Sequence, residues 1–293
     1  MNSRIYCVGF QHPHVRRVYS YIKGKSREPT DRVVVVGRRD NSVALRAGNF
    51  VDTLLYCPEL DGEPRSEELA VALAARAKHN HVVSAKTMHR LVPERTPPIV
   101  SLCWYRCLRS KDLKPGPKSL IVVVDGIRMI GNIGCIVRSA NAAGADLIAF
   151  TNRNVRLNNP RIVTTSCGTI MDTPILDSTI DDIALKLLSL RYSILLADAE
   201  KGERYDTISY DGRVALVLGS EHSGISKSWN RYATLSVHIP TRGTADSLNV
   251  AVAGSIILFF ASRQMGWSGD KEAWQSCADH LNELGCSIVP VRK

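Results

Sequence analysis

Apolar residues fall along the chain in two textures. Short unbroken runs of four or five, closed by a charge or a glycine, alternate with longer stretches in which apolar residues recur at helical spacing. The short runs read as buried strands and the longer ones as helices packed on them. "DRVVVVGRR" (31–39) is a strand bounded by charges. "NSVALRAGNF" is a helix closed by Gly48, and "VDTLLYCPEL" a strand followed by a turn. "SEELAVALAARAKHN" (66–80) has helical periodicity throughout. "VVSAKTMHRLV" and "PPIVSLCWYR" add a further helix and strand. This alternation predicts an α/β domain of about a hundred residues, 1–107. "LRSKDLKPGPKS" (108–119) has linker composition, so a linker is expected over 108–118.

The second half repeats the alternation with closer spacing. "LIVVVDG" (120–126) is a strand ending in a turn. "NIGCIVRSANAAGA" is a helix expected to begin near Asn132 and stop at Gly144, and "DLIAFTN" is the next strand. "SILLADAE" (193–200), "RVALVLGSEHSG" (213–224) and "LSVHIP" are strands that each run into a polar loop. A second α/β domain over 119–293 is expected, with a mostly parallel sheet and helices on both faces. Its polar loops gather at the carboxyl ends of the strands, where such sheets bind ligands.

Charge separates the halves. Residues 1–118 hold 21 Lys+Arg and 11 Asp+Glu, a net of +10, and residues 119–293 hold 17 of each, which together make the 38 and 28 of the whole chain. Clustered positive charge is the footprint of a polyanion-binding surface. Nucleic acid is therefore the favoured partner, though charge alone also fits a membrane surface, and Arg16, Arg17, Lys23, Lys25, Arg38 and Arg39 are candidate contacts. The longest apolar stretch, "VAVAGSIILFFA", is 12 residues, short of the ~20 that cross a bilayer. "MNSRIYCVGFQHPHVRRVY" does not read as a signal peptide. A cytoplasmic protein without membrane contact is expected. The eight cysteines are scattered without a C-x-x-C pair, so they read as reduced thiols, and no metal is expected.

Three loops carry candidate chemistry. In Asn132-Ile-Gly-Cys-Ile-Val-Arg138-Ser, Asn132 has the chemistry of a helix cap. Arg138 is the only charge in "GCIVRSANAAGA", which points to an arginine facing an anion rather than one on a solvated charged face. Leu218-Gly219-Ser220-Glu221-His222-Ser223-Gly224 follows a buried strand, and its glycines would admit a ligand's close approach. Its spacing fits neither a dinucleotide fingerprint nor a phosphate-binding P-loop nor a serine-hydrolase elbow; Glu221 could instead be an acid favoured at a helix start. In "IPTRGTADSLNVAVAGSIILF" (239–259), Asp246, Ser247 and Asn249 crowd the start of an apolar helix that needs only one cap.

"DGIRMIGNIGCIVRSANAAGAD", "VALVLGSEHSGIS" and "IPTRGTADSLNVAVAGSIILF" together resemble motifs 1, 2 and 3 of the SPOUT-class RNA 2′-O-ribose methyltransferases of the TrmH/SpoU family. Motif 1 and "SLNV" look closest to the thiostrepton/nosiheptide-resistance 23S rRNA methyltransferases. The resemblance implies a deep trefoil knot, an N-terminal L30e-like RNA-binding domain, a homodimer, and S-adenosylmethionine clasped in the knot by backbone groups near Leu196, Leu218, Gly219, Ile239 and Leu248. It also implies site roles for Asn132, Arg138, Glu221, Ser247 and Asn249, with Arg138 activating the 2′-hydroxyl. The implied function is 2′-O-methylation of RNA, with 23S rRNA as target and antibiotic resistance as a role. The rivals are a tRNA ribose methyltransferase and a non-catalytic RNA-binding protein. Thr241-Arg242 and Cys167 depart from the family pattern, in which an apolar residue and, in the resistance enzymes, an arginine stand; both departures bear on RNA contacts.

Overall fold

β-branched runs become strands because their stiff side chains suit a pleated surface packed on both faces. The computed structural model describes residues 6–26, 31–62, 64–244 and 246–266. The chain folds into two compact units. The first is the chain up to Cys107 together with Ile127–Arg138 and Arg153–Ile175; the second is Leu108–Gly126, Ser139–Asn152 and the chain from Leu176 onward.

The elements up to Trp104 are β1 (Tyr6–Cys7), α1 (Pro13–Ile22), β2 (Arg32–Val36), α2 (Arg38–Arg46), β3 (Val51–Tyr56), α3 (Pro64–Arg76), β4 (Ala77–Val82), α4 (Ala85–Leu91) and β5 (Ile99–Trp104). Among the described residues they form a five-stranded sheet in the order β1-β4-β3-β5-β2. β5 runs antiparallel to both of its neighbours. Val15, Val18 and Tyr21 of α1 and Met88 and Leu91 of α4 share one core with Val34, Leu55, Val100 and Leu102 of the strands. Gly48 ends the α2 segment in the left-handed region, φ +73°, as its position predicts.

One helix is shorter than its periodicity predicts. α3 ends at Arg76, and "AKHNHV" becomes β4, parallel to β3 on one side and to β1 on the other. Ladder hydrogen bonds with two neighbours outweigh a local helical preference that is worth a few tenths of a kcal/mol per residue.

The later elements are β6 (Cys107–Leu108), β7 (Ser119–Asp125), α5 (Ile130–Ala142), β8 (Leu147–Thr151), α6 (Pro160–Thr165), β9 (Ile175–Asp177), α7 (Ile180–Ser189), β10 (Ser193–Ala197), β11 (Glu203–Arg204), β12 (Arg213–Leu218), β13 (Leu235–His238) and α8 (Val250–Gln264). Among the described residues their sheet has eight strands in the order β11-β13-β10-β12-β7-β8-β9-β6. The pairs from β11 through to β8 are all parallel. Alternate residues of the central strands, Ile121, Val123, Ile194, Leu196, Ala215 and Val217, meet Ile180, Ile183, Ala184 and Leu187 of α7 in one core. Those α7 positions follow the i, i+3, i+4, i+7 rule for one helical face.

The 108–118 segment is tied to this unit. Leu113 is buried in the same core. The Arg213 guanidinium donates to the Gly116 carbonyl at 2.8 Å and to the Leu190 carbonyl at 2.7 Å. No helix among the described residues is long and apolar enough to cross a membrane.

α5 begins at Ile130, two residues before the expected start, so Asn132 lies inside the first turn and is not its cap. Gly134 gives α5 its close approach to α6: a Cβ there would lie 2.0 Å from Oγ1 and 2.5 Å from Cβ of Thr165. Gly134→Ala is expected to destabilise the fold by roughly 1–3 kcal/mol, the usual cost of overpacking a tight interface. Denaturant midpoints read this, and an unchanged midpoint would mean that the two helices part freely.

Candidate active site

Parallel strands deliver their loops to one edge of the sheet. In the second unit, the loops after β10, β12 and β13 and the first turns of α8 enclose a cleft of about 320 Å³. Ala197, Asp198 and Ala199 form one wall, Leu218, Gly219, Ser220, Glu221 and Gly224 a second, and Ile239 and Thr241 a third. Ser247, Leu248, Asn249, Val250, Ala253 and Ile257 complete it. The lining is mixed, with aliphatic side chains beside carboxylates, hydroxyls and main chain. The volume sits at the lower end of the range of small-molecule sites, about 300–1,000 Å³.

The loop after β12 folds back on itself. Ser220 N–H donates to the Gly224 carbonyl at 3.0 Å, and Gly224 N–H returns a bond to the Ser220 carbonyl at 2.9 Å. The Ser220 hydroxyl accepts from Ser223 N–H at 3.1 Å and lies 2.7 Å from the Ser223 hydroxyl. Gly219 is required by this fold-back. A Cβ on it would come within 2.3 Å of Gly224 C and of Ile225 N. Its lack of a side chain thus makes room for the loop's own backbone, a reason beyond the ligand approach that the sequence suggests. Glu221 is exposed at the tip of this loop. No helix begins at Glu221, since the next helical turn is Lys227–Arg231, so a helix-start role does not apply.

Asp125 fixes the far end of the same loop. It closes β7 and is 1% exposed. Its carboxylate accepts from the Thr151 hydroxyl at 2.9 Å, from Asn152 Nδ2 at 3.0 Å and from Ser226 N–H at 2.7 Å. The carboxylate thereby joins the ends of β7 and β8 to the exit of the cleft loop. The pattern of apolar runs treats Asp125 as part of a turn and misses this role. A signal for it exists: an acid that ends an otherwise wholly apolar strand is buried and must be hydrogen-bonded.

Asp198 shapes the opposite wall. Its Oδ1 accepts from the N–H groups of Glu200 at 2.9 Å and Lys201 at 3.0 Å. Burial by itself would raise the pKa of this carboxyl, but the N–H groups of Glu200 and Lys201, the Lys201 charge and the Ala199 N–H hold it below the usual value. It is therefore an anion at neutral pH.

Asn249 is the N-cap of α8. Its Oδ1 accepts from Ala251 N–H at 2.9 Å and Val252 N–H at 3.4 Å. Of the three candidates at this junction, Asn249 caps, Ser247 lines the cleft and Asp246 stands exposed just before them. Gly254, one turn into α8, lets the helix close on β12, because a Cβ there would lie 2.7 Å from Leu218 Cδ1.

Seven of the expected site residues thus line one cleft: Leu218, Gly219, Glu221, Ile239, Ser247, Leu248 and Asn249. Leu196 is buried within β10, where it pairs with Val217 and Ser236, and the strand reaches the cleft only at Ala197. Asn132 and Arg138 are not among the described lining residues. Asn132 is buried, with Nδ2 3.7 Å from Met129 Sδ. Arg138 is exposed on α5. Of the six basic candidates, Arg16, Lys23, Lys25 and Arg39 are exposed. Arg39 is held by Asp40 at 3.0 Å and Arg38 donates to the Ser66 hydroxyl at 3.0 Å. Arg17 is committed to Asp52, which is 4% exposed, at 2.6 Å. It therefore makes a structural ion pair, while its side chain keeps 23% exposure.

Residues 119–259 match the family described as SpoU rRNA Methylase. A 23S rRNA (guanosine-2′-O-)-methyltransferase of Blochmanniella floridana is 31% identical over 188 residues, covering 63% of this chain and 73% of that relative. A 23S rRNA (adenosine(1067)-2′-O)-methyltransferase of Streptomyces laurentii is 34% identical over 148 residues, 49% of this chain and 54% of that relative. Among solved structures, the AdoMet-bound rRNA methyltransferase from Sinorhizobium meliloti superposes with a TM-score of 0.79 at 26% identity, over 89% of this chain and 98% of that one.

Proposed function

The chain belongs to the SpoU rRNA methylase family, and on that premise we propose that it transfers a methyl group from S-adenosylmethionine to a ribose 2′-hydroxyl of RNA, with 23S ribosomal RNA as substrate. The observation that carries this reading is the cleft itself, built from the three strand-end loops and the start of α8. It also fits the cofactor: aliphatic Leu218, Ile239, Leu248 and Ile257 suit an adenine face, while Asp198, Glu221, Ser247 and Asn249 offer partners for the ribose hydroxyls and the amino-acid end. When bound, S-adenosylmethionine supplies an electrophilic methyl on a sulfonium. The protein's part is then positioning. Gly219 and Leu248 fix the walls, and Ser247 and Asn249 orient groups at the cleft's polar end. Arg138 holds the substrate phosphate and the attacking hydroxyl; a guanidinium does not deprotonate in proteins and is not a general base.

The full arrangement proposed is a trefoil-knotted domain over 119–293, an L30e-like RNA-binding domain over 1–107 and a linker over 108–118, in a cytoplasmic homodimer. An apolar stripe supports the dimer. Val252, Ile256 and Phe259 of α8 are 49%, 36% and 51% exposed, and the i, i+4, i+7 spacing puts them on one helical face. A second copy of the chain is the occupant that would cover it and bring Arg138 of the partner subunit to the cleft. Light scattering is expected to give twice the chain mass, and an active monomer would refute the dimer.

RNA binding is assigned to the exposed Arg16, Lys23 and Lys25, and to the exposed Arg39 on α2. Replacing Arg16, Lys23 and Lys25 by alanine is expected to weaken RNA binding and to lower the slope of log K against log salt by about 0.7–0.9 for each phosphate no longer neutralised. An unchanged slope in filter-binding titrations would move the RNA-binding surface elsewhere.

The test of the function is a map of 2′-O-methyl groups on ribosomal RNA from cells with and without this gene, beside methyl transfer by the purified chain. Loss of a 23S rRNA methyl is the expected result. A methyl lost from tRNA instead would select the tRNA reading. Cofactor binding with no RNA methylated would leave a non-catalytic RNA-binding protein. Drug sensitivity of the same two strains tests the resistance role.

A further inference from the structure

Four of the chain's eight histidines fall in two His-x-His pairs, "QHPHV" (11–15) and "KHNHV" (78–82). The fold brings the pairs together within the first unit. His79 and His81 are two apart on β4 and share one face of the sheet. His12 and His14 flank Pro13 at the start of α1. His14 Nδ1 lies 2.7 Å from His81 Nε2. The ring centroids of His12 and His81 are 4.5 Å apart, and His79 stacks on His14 at 4.0 Å. One ring nitrogen each from His12, His14 and His81 can be chosen so that all three lie within 4.8 Å of one another.

We propose that His12, His14 and His81 bind one transition-metal ion of the zinc(II) class. Three imidazoles are borderline donors, which suit zinc, cobalt, nickel or copper and not magnesium or calcium. Zn–N bonds of about 2.0–2.1 Å in tetrahedral geometry need nitrogens roughly 3.3 Å apart. The His14–His81 pair at 2.7 Å opens slightly to reach that spacing, and the three rings already offer nitrogens within 4.8 Å of one another. His12 also accepts the backbone N–H of His14, but at 3.3 Å that cap bond is long and yields at small cost.

Burial first, then the His12, His14 and His79 rings, hold His81 down to about 4. Burial also lowers His14 and His79. Arg17 and Lys78 oppose a dication nearby, while Asp52 favours one. The bound ion would join the start of α1 to β4, a structural staple beside the exposed Arg16. The expectation of no metal rests on cysteine spacing alone and does not reach these histidines.

The experiment uses the full chain without an affinity tag, stripped with a chelator and titrated with zinc chloride by calorimetry and with cobalt(II) by visible absorption. One ion per chain, tetrahedral cobalt bands and a melting temperature that rises with zinc are expected. His12→Ala with His14→Ala should weaken zinc binding at least about tenfold, a direct ligand mattering no less than the outer partners whose loss costs 10–100-fold. It should also remove the thermal shift. His89→Ala, outside the cluster, should do neither. His81→Gln should act like the double variant; if it fails to fold, as circular dichroism will show, the double variant alone decides. No ion bound by the wild-type chain, or equal binding by the double variant, would overturn the site.

Discussion

Gly219→Ala is expected to lower S-adenosylmethionine affinity more than tenfold while leaving the protein folded. A Cβ at this position meets Gly224 C and Ile225 N, each at 2.3 Å. Both obstacles are backbone, so no side-chain rotation relieves them. The loop must open, and with it go the Ser220–Gly224 bonds at 2.9 and 3.0 Å. Overpacking of this kind costs roughly 1–3 kcal/mol, and 1.4 kcal/mol is a factor of ten in a dissociation constant. The cost falls on the loop that walls the cleft, because β12 itself is held by β10 and β7 on its two sides. Gly254→Ala is the informative contrast. Its obstacle is Leu218 Cδ1 at 2.7 Å, the tip of a side chain that can turn away, so a smaller loss is expected. Calorimetry with S-adenosylmethionine on both variants reads the difference. Unchanged affinity in Gly219→Ala would mean that this loop does not shape the cofactor site.

What the sequence disclosed follows physical lines. β7, β8, β10 and β12 of the larger sheet were legible because each is a largely buried apolar run with a glycine or polar turn at its carboxyl end, whereas the two- and three-residue strands β6, β9 and β11 carry no such run. The cleft was legible for the same reason, since parallel topology sends those ends to one edge. Leu218, Gly219, Ile239 and Leu248 line the cleft, and β10 reaches it at Ala197, next to Leu196. β4 was not legible. "AKHNHV" continues the helical period of "SEELAVALAAR", and only its neighbours β1 and β3, distant in sequence, make it a strand. The same strand places His79 and His81 beside His12 and His14, so the missed strand hid the histidine cluster. Arg17 shows the limit of charge counting, because the composition records a cation while the structure commits it to the buried Asp52.

Arg138→Ala is expected to reduce methyl transfer at least about a hundredfold, the scale of losing one preorganised group that acts on the reacting atoms. Cofactor affinity should stay within a few-fold of wild type, since Arg138 is not among the described residues that line the cleft. Stability should also hold. Arg138 is exposed on α5, and truncating an exposed side chain away from caps and cores usually changes stability by no more than ~0.5 kcal/mol. This separates a placing role from a structural one, for a buried structural arginine would cost several kcal/mol on truncation. Asn249→Ala should behave in the opposite way. It removes the acceptor for Ala251 and Val252 N–H, a cap worth about 1 kcal/mol, and it alters the cleft wall, so cofactor affinity falls together with stability. The kinetic pattern distinguishes the two. Arg138→Ala should lose kcat at saturating cofactor, whereas Asn249→Ala should first raise the cofactor KM. Mixing Arg138→Ala chains with chains that carry Gly219→Ala adds a test of the dimer. If Arg138 of one chain serves the cleft of the other, a mixed dimer has one cleft that is intact in both respects, and activity should return to about half of wild type per such dimer. No recovery on mixing, with exchange of subunits demonstrated, would place Arg138 at its own chain's cleft; near-normal activity in Arg138→Ala alone would remove it from the chemistry.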